Sequence, residues 1–230
     1  MARTWLNVDL GELPDEPPEL YACANVVSVA CGGHAGDAES MRRAIEQCMA
    51  HGARLGAHPS YPDRKGFGRM RMAIPPDELC RHVREQCARL QGFARAAGAP
   101  LAFVKPHGAL YHVARDDEAT AEAIVLGAQD VLGTITIIGP PEGALAKAAA
   151  RARLGYAREG FADRATREDG TLVPRSDPGA LVLDPAAAAA RARALATGGG
   201  IDTICVHGDT PGAVAIATAV RAILDALARS

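Results

Sequence analysis

Short apolar runs rich in β-branched residues alternate with longer helical segments along the whole chain. Such an alternation is typical of parallel strands joined by crossover helices. The helices then cover the sheet, and the strands between them are buried and apolar. The predicted strands span 4–10, 26–31, 54–57, 101–105, 134–138, 156–159 and 203–206, with a further short candidate at 180–183.

Two architectures satisfy this alternation: a closed barrel and an open doubly wound sheet. A nucleotide-binding open sheet usually carries a glycine-rich phosphate loop after its first strand. Here residues 9–12 read DLGE, which is neither that fingerprint nor a Walker loop. The strand count and the even spacing favour an irregular seven- or eight-stranded (β/α) barrel. The length of 230 residues suits one short barrel, so we predict a single domain over 1–230.

The helical segments carry start signals of their own. Residues 77–97 place apolar side chains at steps of three and four, which predicts an amphipathic helix with one buried stripe. Asp184-Pro185 and Thr210-Pro211 each combine an N-cap residue with a proline at the first helical position. We therefore predict that a helix begins at each of these two sites.

Composition excludes several classes of partner. The formal net charge is −2 at pH 7 with both signs mixed along the chain, so no binding surface for nucleic acid or an anionic membrane is expected. No apolar run approaches the length of a membrane span, and the expected location is cytoplasmic. The six cysteines form no CxxC pair and lie mostly in apolar segments, which predicts reduced, buried thiols.

Ionisable side chains follow six of the seven predicted strands, on glycine-rich loops. Because ligands bind at the carboxyl ends of the strands in both architectures, these side chains are expected to converge on one face. This concentration predicts an enzyme. The residues concerned are Asp9, Glu12, His34, Asp37, His58, Asp63, Arg64, Lys65, Arg69, Lys105, His107, Glu159, Asp163, Arg164, Arg175, His207 and Asp209.

Several of these side chains have simpler explanations. Asp37 and Asp209 are equally compatible with N-capping the helices that follow them, and Lys65 and Arg69 with a solvated loop face. The histidines at positions 51 and 82 are expected at the surface of helices. Four histidines stand beside glycine or proline at strand ends, where a binding or catalytic role explains them better: His34, His58, His107 and His207.

Two chemistries are open to such a set. Imidazole and carboxylate groups bind zinc, manganese or iron, which would support metal-assisted hydrolysis or deacetylation. No HxH or HExxH pair is present, so the ligands of a metal would have to come from separate strands. The alternative is metal-free acid–base catalysis, in which Asp or His activates water and Lys, Arg or His stabilises an oxyanion.

Seven loop motifs in order resemble one known family. They read DLGE, ACGGHAGD, GAHPSYPDRKGFGR, VKPHGALY, EGFADR, DGTLVPRSDPGA and CVHGDTPGA, and they span residues 9–212. Together they resemble the LamB/YcsF family. The resemblance implies an irregular barrel related to the glycoside hydrolase/deacetylase barrels. It also implies ATP-driven hydrolysis of 5-oxo-L-proline (pyroglutamate) to L-glutamate, together with the B and C subunits of a 5-oxoprolinase.

The resemblance also suggests roles for the residues of these motifs. The expected catalytic set is Asp9, Glu12, His58, Lys105, His107 and His207. The expected substrate-binding set is His34, Asp63, Arg64, Glu159, Asp163, Arg175 and Asp209. A base towards water is expected from Asp9, Glu12 or His58. The substrate carboxylate or a phosphate would be held by Arg64 or Lys105. Charge on the ring oxygen would be stabilised by His107 and His207.

The cofactor that the resemblance implies is ATP with magnesium, and the sequence contains no Walker loop to hold it. A bound transition metal is not expected; its candidate ligands would be Asp9, His34, His58, His107 and His207. One residue departs from the family pattern. Gly33 stands where an aromatic residue is usual, which predicts a more open pocket beside His34.

Two other functions stay open at this point. One is a metal-dependent deacetylase or hydrolase that acts on a carbohydrate, suggested by fold analogy alone. The other is a non-catalytic module that binds a small acid, because binding pockets also gather polar groups.

Overall fold

Seven parallel strands close into a barrel in the computed structural model of this chain, which describes residues 4–167 and 171–229. The strands follow one another around the barrel in chain order, and the last pairs with the first. They are β1 (Trp5–Leu10), β2 (Val26–Ala30), β3 (Arg54–His58), β4 (Leu101–Val104), β5 (Thr136–Gly139), β6 (Gly155–Phe161) and β7 (Thr203–His207). The predicted barrel is confirmed, with seven strands in the described part of the chain.

Each strand is followed by a helix, and β4 is followed by two. The helices are α1 (Pro18–Cys23), α2 (Ala38–His51), α3 (Pro76–Ala96), α4 (Gly108–Asp116), α5 (Glu118–Leu132), α6 (Ala144–Arg151), α7 (Pro185–Gly198) and α8 (Ala213–Ala228). Over the residues described, no helix combines the length and apolarity needed to cross a membrane.

The alternation of side chains along β1 explains how the barrel is filled. Leu6 and Val8 belong to the main apolar core that the strands share with the helices. Residues on the opposite face of β1 point into the barrel. Trp5 packs there on an apolar layer formed by Val26, Phe103, Ile138 and Ala157. Asn7 and Asp9 follow on the same face, so polar side chains occupy the barrel nearer the carboxyl ends of the strands.

Strand register decides which side chains meet at the carboxyl ends. β1 and β7 pair in parallel up to Asp9 and His207, which are direct cross-strand neighbours. β2 and β3 pair up to Ala30 and His58. The strand ends therefore form one mouth, and the ionisable residues expected there lie on its rim and inside it.

One strand prediction is wrong. The segment 180–183 contributes only an isolated antiparallel bridge between Leu181 and Arg164, within the long connection from β6 to α7. The predicted amphipathic helix at 77–97 is confirmed as α3, which buries Leu79, Val83, Cys87, Leu90 and Ala94 of the expected stripe. Ala97, the last residue of that stripe, is the C-cap and is exposed. The first two residues of the predicted motif DGTLVPRSDPGA, at 169 and 170, lie outside the described residues.

The helix caps confirm one predicted start and correct another. Asp184 caps α7 with its side chain, and Asp37 caps α2. Thr210 was expected to cap α8, but the cap is Gly212, whose φ of +77° favours glycine. Thr210 donates its hydroxyl proton to Asp163 at 2.7 Å instead. Because the hydroxyl group of Thr210 is engaged with Asp163, it does not cap α8.

Candidate active site

A lysine–carboxylate pair is buried inside the barrel, just beyond the end of β4. Lys105 Nζ lies 3.0 Å from both carboxylate oxygens of Asp9 and 2.7 Å from Oε1 of Glu159. Asn7 Oδ1 and Cys205 Sγ are each 3.1 Å from the same nitrogen. An ammonium group has three protons to donate, so groups of the barrel already occupy Lys105 fully.

The charges of this pair stabilise each other. Burial alone would lower the pKa of Lys105, but Asp9 and Glu159 contribute to raising it well above its ordinary value. Burial alone would raise the pKa of Asp9, but His58 and Lys105 hold it well below its usual range. Burial raises the pKa of Glu159 even though Lys105 opposes that shift. The pair is therefore an ammonium that faces an ionised Asp9 in a region from which water is largely excluded.

Three histidines and a glutamate meet beside this pair, and we refer to Glu12, His34, His58 and His107 as the histidine cluster. Glu12 Oε1 lies 2.8 Å from His34 Nε2 and 3.3 Å from His107 Nδ1. His58 Nε2 is 3.0 Å from His107 Nδ1 and 3.9 Å from Glu12 Oε1. The ring of His34 stacks on that of His107, with centroids 3.6 Å apart and planes 1° from parallel.

Backbone carbonyl groups fix two of these rings. His58 Nδ1 lies 2.7 Å from the carbonyl oxygen of Lys105, and His107 Nε2 lies 3.0 Å from that of Phe67. A carbonyl oxygen only accepts hydrogen bonds, so these two ring nitrogens carry protons. In the neutral rings, the unprotonated nitrogens are then His58 Nε2 and His107 Nδ1, which face each other.

Burial governs the charge of the histidine cluster. It lowers the pKa of His34 and of His107 well below their ordinary values, and the neighbouring histidines add to the shift. Burial, followed by the negative charges of Asp9 and Asp209, raises the pKa of Glu12 well above its ordinary value. The rings of His34 and His107 therefore stay neutral near pH 7.

The loop between β3 and α3 reaches the histidine cluster through its backbone. Phe67 has a φ of +54°, which is uncommon for an aromatic residue, and its carbonyl accepts the proton of His107 Nε2. Gly68 follows with a φ of +66°, and a Cβ there would lie 2.8 Å from His34 Cβ. Such strain persists only where the surrounding structure fixes it, so this loop is shaped around the two stacked rings.

An aspartate–histidine pair lies next to Asp9, because His207 is the cross-strand neighbour of Asp9. His207 Nδ1 lies 3.1 Å from both oxygens of Asp163, which also accepts the backbone N–H of His207 at 3.0 Å. Burial alone would raise the pKa of Asp163, but His207 holds it below its usual range. The carboxylate fixes Nδ1 as the protonated nitrogen of the neutral ring, which leaves Nε2 as the basic one.

Asp209 joins three loops across the mouth. Its two oxygens lie 2.5 Å from Nη2 of Arg69, in the β3–α3 loop, and 2.5 Å from Nη2 of Arg175, in the β6–α7 connection. The N-cap explanation for Asp209 is therefore wrong, since the tertiary ion pairs engage its carboxylate. The side chain of Arg69 is 40% exposed, as a solvated loop face predicts, and it also forms an ion pair with Asp209.

A cavity of about 560 Å³ opens between these groups. Its lining includes five predicted catalytic residues, Asp9, His58, Lys105, His107 and His207. It also includes Arg164, whose Nε is buried without a hydrogen-bond partner while Nη2 donates to the carbonyl of Val173 at 2.7 Å. The predicted site sets omitted Arg164. Its position directly after Asp163 in a strand-end loop was the available signal.

Three groups that the sequence analysis missed also contact the site residues. Asn7 and Cys205 contact Lys105 from inside the barrel, and Phe67 contributes a carbonyl group. The period of two along β1 could have identified Asn7, because it places Asn7 on the same face as Asp9. Nothing in the sequence marks the carbonyl of Phe67, because that contact depends on loop conformation.

Of the seven predicted substrate-binding residues, Arg175 lines the 560 Å³ cavity and the other six do not. Asp63 and Arg64 are two of these six. Asp63 accepts the backbone N–H of Gly66 at 2.7 Å and closes its own turn. Arg64 donates to the carbonyl oxygens of Gly32 and Gly36. With Glu12, it lines a separate cavity of about 370 Å³.

The predicted opening beside Gly33 is wrong. A Cβ there would lie 2.3 Å from Gln86 Oε1 and 2.4 Å from Ser60 Oγ. These two side chains occupy the space next to Gly33. Gln86 is itself held there by hydrogen bonds to both the N–H and the carbonyl of Ser60.

Comparison with known proteins places the chain in a family. The family model described as "LamB/YcsF family" matches residues 5–229. The chain belongs to the LamB/YcsF family. A relative from Methylococcus capsulatus, named as the A subunit of 5-oxoprolinase, is 44% identical over 96% of this chain and 92% of its own length. The family resemblance read from the seven loop motifs is confirmed.

Solved structures agree with the barrel. The lactam utilization protein from Thermus thermophilus superimposes with a TM-score of 0.89 at 35% identity, covering 98% of this chain and 97% of its own. The catalytic domain of the peptidoglycan N-acetylglucosamine deacetylase from Eubacterium rectale gives a TM-score of 0.50 at 9% identity, covering 97% of this chain and 84% of its own. This second likeness concerns the fold alone.

Proposed function

We propose that this LamB/YcsF protein is the A subunit of an ATP-dependent 5-oxoprolinase and hydrolyses 5-oxo-L-proline to L-glutamate. The observation that carries the proposal is the cavity beside Asp9, where acidic, basic and cationic side chains from separate strand ends line one space. Near-full-length relatives that are named as the A subunit of 5-oxoprolinase, and a structural neighbour named for lactam utilization, support this choice of substrate.

5-Oxoproline presents a carboxylate and a cyclic amide, and the cavity has a partner for each. We assign the carboxylate to Arg164, whose buried Nε lacks a partner, because guanidinium and carboxylate groups form strong charge-assisted hydrogen bonds. Lys105 is already surrounded by acceptors, so its role is to hold Asp9 ionised and in place rather than to bind substrate.

His207 is the best-placed base towards water. Asp163 fixes the tautomer of its ring, and the ring lines the cavity. An imidazole oriented by a buried carboxylate can take a proton from water as the water attacks a carbonyl carbon. Asp9 and His58 line the same cavity, where they can orient the water or the lactam nitrogen.

A five-membered lactam is a resonance-stabilised amide without strong ring strain, which makes its hydrolysis near neutral pH only weakly favourable. ATP would supply a phosphoryl group that makes the lactam oxygen part of a leaving group. The second cavity is the candidate for the nucleotide: Arg43 and Arg64 line it and can pair with phosphate groups, and the carboxyl groups of Glu12, Asp37 and Glu39 in the same lining can face magnesium. We propose that nucleotide phosphates bind there, with magnesium.

The test is glutamate release from 5-oxoproline and ATP by the chain combined with its B and C partner subunits. We expect release only in the complete mixture. We expect His207→Ala to lower the rate by about 10²–10⁴-fold, as for the loss of a general base. His82→Ala is the matched control and should leave the rate unchanged, because His82 lies on α3 and is not among the residues that line either cavity.

Two results would contradict the proposal. Full activity of His207→Ala, Asp9→Asn and Arg164→Gln would show that this cavity is not the catalytic one. Binding of 5-oxoproline with no glutamate formed in the complete mixture would support a small-acid-binding module instead. Calorimetry of the isolated chain with ATP, with and without magnesium, tests the nucleotide site, and Arg64→Ala should abolish any binding seen.

A further inference from the structure

We propose that Glu12, His58 and His107 form a binding site for one divalent transition-metal ion, such as zinc, manganese or iron. The ligand atoms are Glu12 Oε1, His58 Nε2 and His107 Nδ1. Three ligands of this kind, two imidazoles and one carboxylate, are a recurrent donor set for these ions. The proposal concerns a binding site and stands independently of the reaction proposed above.

The outer nitrogens of the two rings are both hydrogen-bonded to the backbone, and this fixes which way each ring faces. Each ring donates its outer N–H to a backbone carbonyl: His58 Nδ1 to Lys105 and His107 Nε2 to Phe67. When both rings are neutral, the two inner nitrogens, 3.0 Å apart, present lone pairs to each other. Two facing lone pairs repel each other unless a proton or a cation lies between them. Metal-bound histidines are commonly oriented by this kind of outer hydrogen bond.

The separations between the three ligand atoms match the size of a single metal ion. They are 3.0 Å between the two histidine nitrogens, and 3.3 Å and 3.9 Å from Glu12 Oε1 to His107 Nδ1 and His58 Nε2. A triangle with these sides has its centre about 2.0 Å from each corner, which is the usual length of a metal–nitrogen or metal–oxygen bond to zinc. These separations are therefore compatible with one ion held by the three atoms.

His34 is close enough to be a fourth ligand, but its orientation favours another role. Its ring is parallel to that of His107 and 3.6 Å away, so lone pairs in the two ring planes run side by side and do not converge. His34 Nε2 lies 2.8 Å from Glu12 Oε1, whereas no hydrogen-bond partner in the described structure contacts its Nδ1. We therefore assign His34 a positioning role: it donates from Nε2 and orients the carboxylate of Glu12.

Three protein ligands leave at least one coordination position free. His58 and His107 both line the 560 Å³ cavity, so that free position lies next to the space where a small acid would bind. An open position of this kind is occupied by water or by a substrate oxygen in catalytic metal sites, whereas structural zinc sites are closed by four protein ligands. The site is therefore suited to an exchangeable ligand.

The test uses the untagged full-length chain, stripped with a chelator and then titrated with Co²⁺ and, separately, Zn²⁺. After dialysis we expect one equivalent of metal per chain, and visible d–d absorption from the cobalt form. His58→Ala, His107→Ala and Glu12→Gln should each lower the affinity by far more than tenfold, and His34→Ala by about 10–100-fold, as for a group that orients a ligand.

His51→Ala and His82→Ala are matched controls, because both remove a histidine from the outside of the barrel, and neither should change the metal content. Circular dichroism of each variant verifies that it is folded. Failure of the wild-type chain to retain metal would overturn the proposal whatever the variants do. Loss of binding in Cys205→Ser instead would place the ion on the neighbouring group of Asp9, Cys205 and His207, and would overturn the assignment of ligands.

Discussion

Replacing Lys105 by methionine tests whether the buried pair inside the barrel is held by charge. The substitution keeps most of the side-chain volume but removes the ammonium that lies 3.0 Å from both oxygens of Asp9. At that separation and an effective dielectric constant of about 20, two unit charges attract by roughly 5–6 kcal/mol. Removing one partner of a buried pair typically costs about 3–5 kcal/mol, because the other charge stays buried. We expect a loss in that range at pH 7.

The loss should shrink as the pH falls. In the wild-type chain the pKa of Asp9 is depressed, so its contribution to stability is present above its unfolded pKa and is lost as the pH falls through the folded value. Without Lys105, the pKa of Asp9 in the folded state should rise, because His58 and His207 alone then oppose the effect of burial. The unpaired carboxylate then destabilises the fold above its unfolded pKa, and it takes up a proton as the pH falls. Stability should therefore recover between pH 7 and pH 5.

Urea denaturation at the two pH values measures this effect, with Lys147→Met on the exposed surface of α6 as the control. The control should change the free energy of unfolding by no more than about 0.5 kcal/mol. The double variant Lys105→Met with Asp9→Asn should be more stable than Lys105→Met alone, because it leaves no unpaired Asp9 charge. A loss below about 1 kcal/mol at pH 7, or strictly additive effects in the double variant, would refute the reasoning.

Three further predictions follow from single contacts. Gly68→Ala should destabilise the chain by at least about 1 kcal/mol in urea titration, because its φ of +66° suits glycine and a Cβ would contact the stacked rings. Asp163→Asn should lower stability above pH 4 but converge with wild type in acid, because the depressed pKa of Asp163 contributes only above its unfolded value. It should also slow glutamate release by mispositioning His207. In the native chain a thiol reagent should label Cys23 and Cys80 before the four buried cysteines, and equal rates for all six would contradict the burial.

The sequence predicted the barrel well because its strands are buried on both sides. Runs such as 26–31 and 203–206 agree closely with β2 and β7. A strand between the filled interior of the barrel and a layer of helices is buried on both faces, so its sequence is a continuous apolar run. The composition of the run at 180–183 does not distinguish it from the runs that form strands. It failed as a strand because it lies in the β6–α7 connection, where only one isolated bridge forms.

Candidate site residues could be named from the sequence because strand ends of a parallel barrel share one face. Asp9, His58, Lys105, His107 and His207 do line one cavity. Arg64 and Asp63 follow the same strand as His58 but lie away from that cavity, because the direction of a loop depends on its turns and not on the strand before it. The catalytic and binding roles of these residues stay predictions.

The sequence by itself determined the order of strands and helices, the family, and the set of polar side chains at the mouth of the barrel. These follow from periodicity and from motifs that are local along the chain. Only the tertiary structure decided which groups meet: Lys105 with Asp9, Asp163 with His207, and the facing nitrogens of His58 and His107. Such pairings depend on strand register, barrel closure and a left-handed turn at Phe67, and none of these can be read from local sequence.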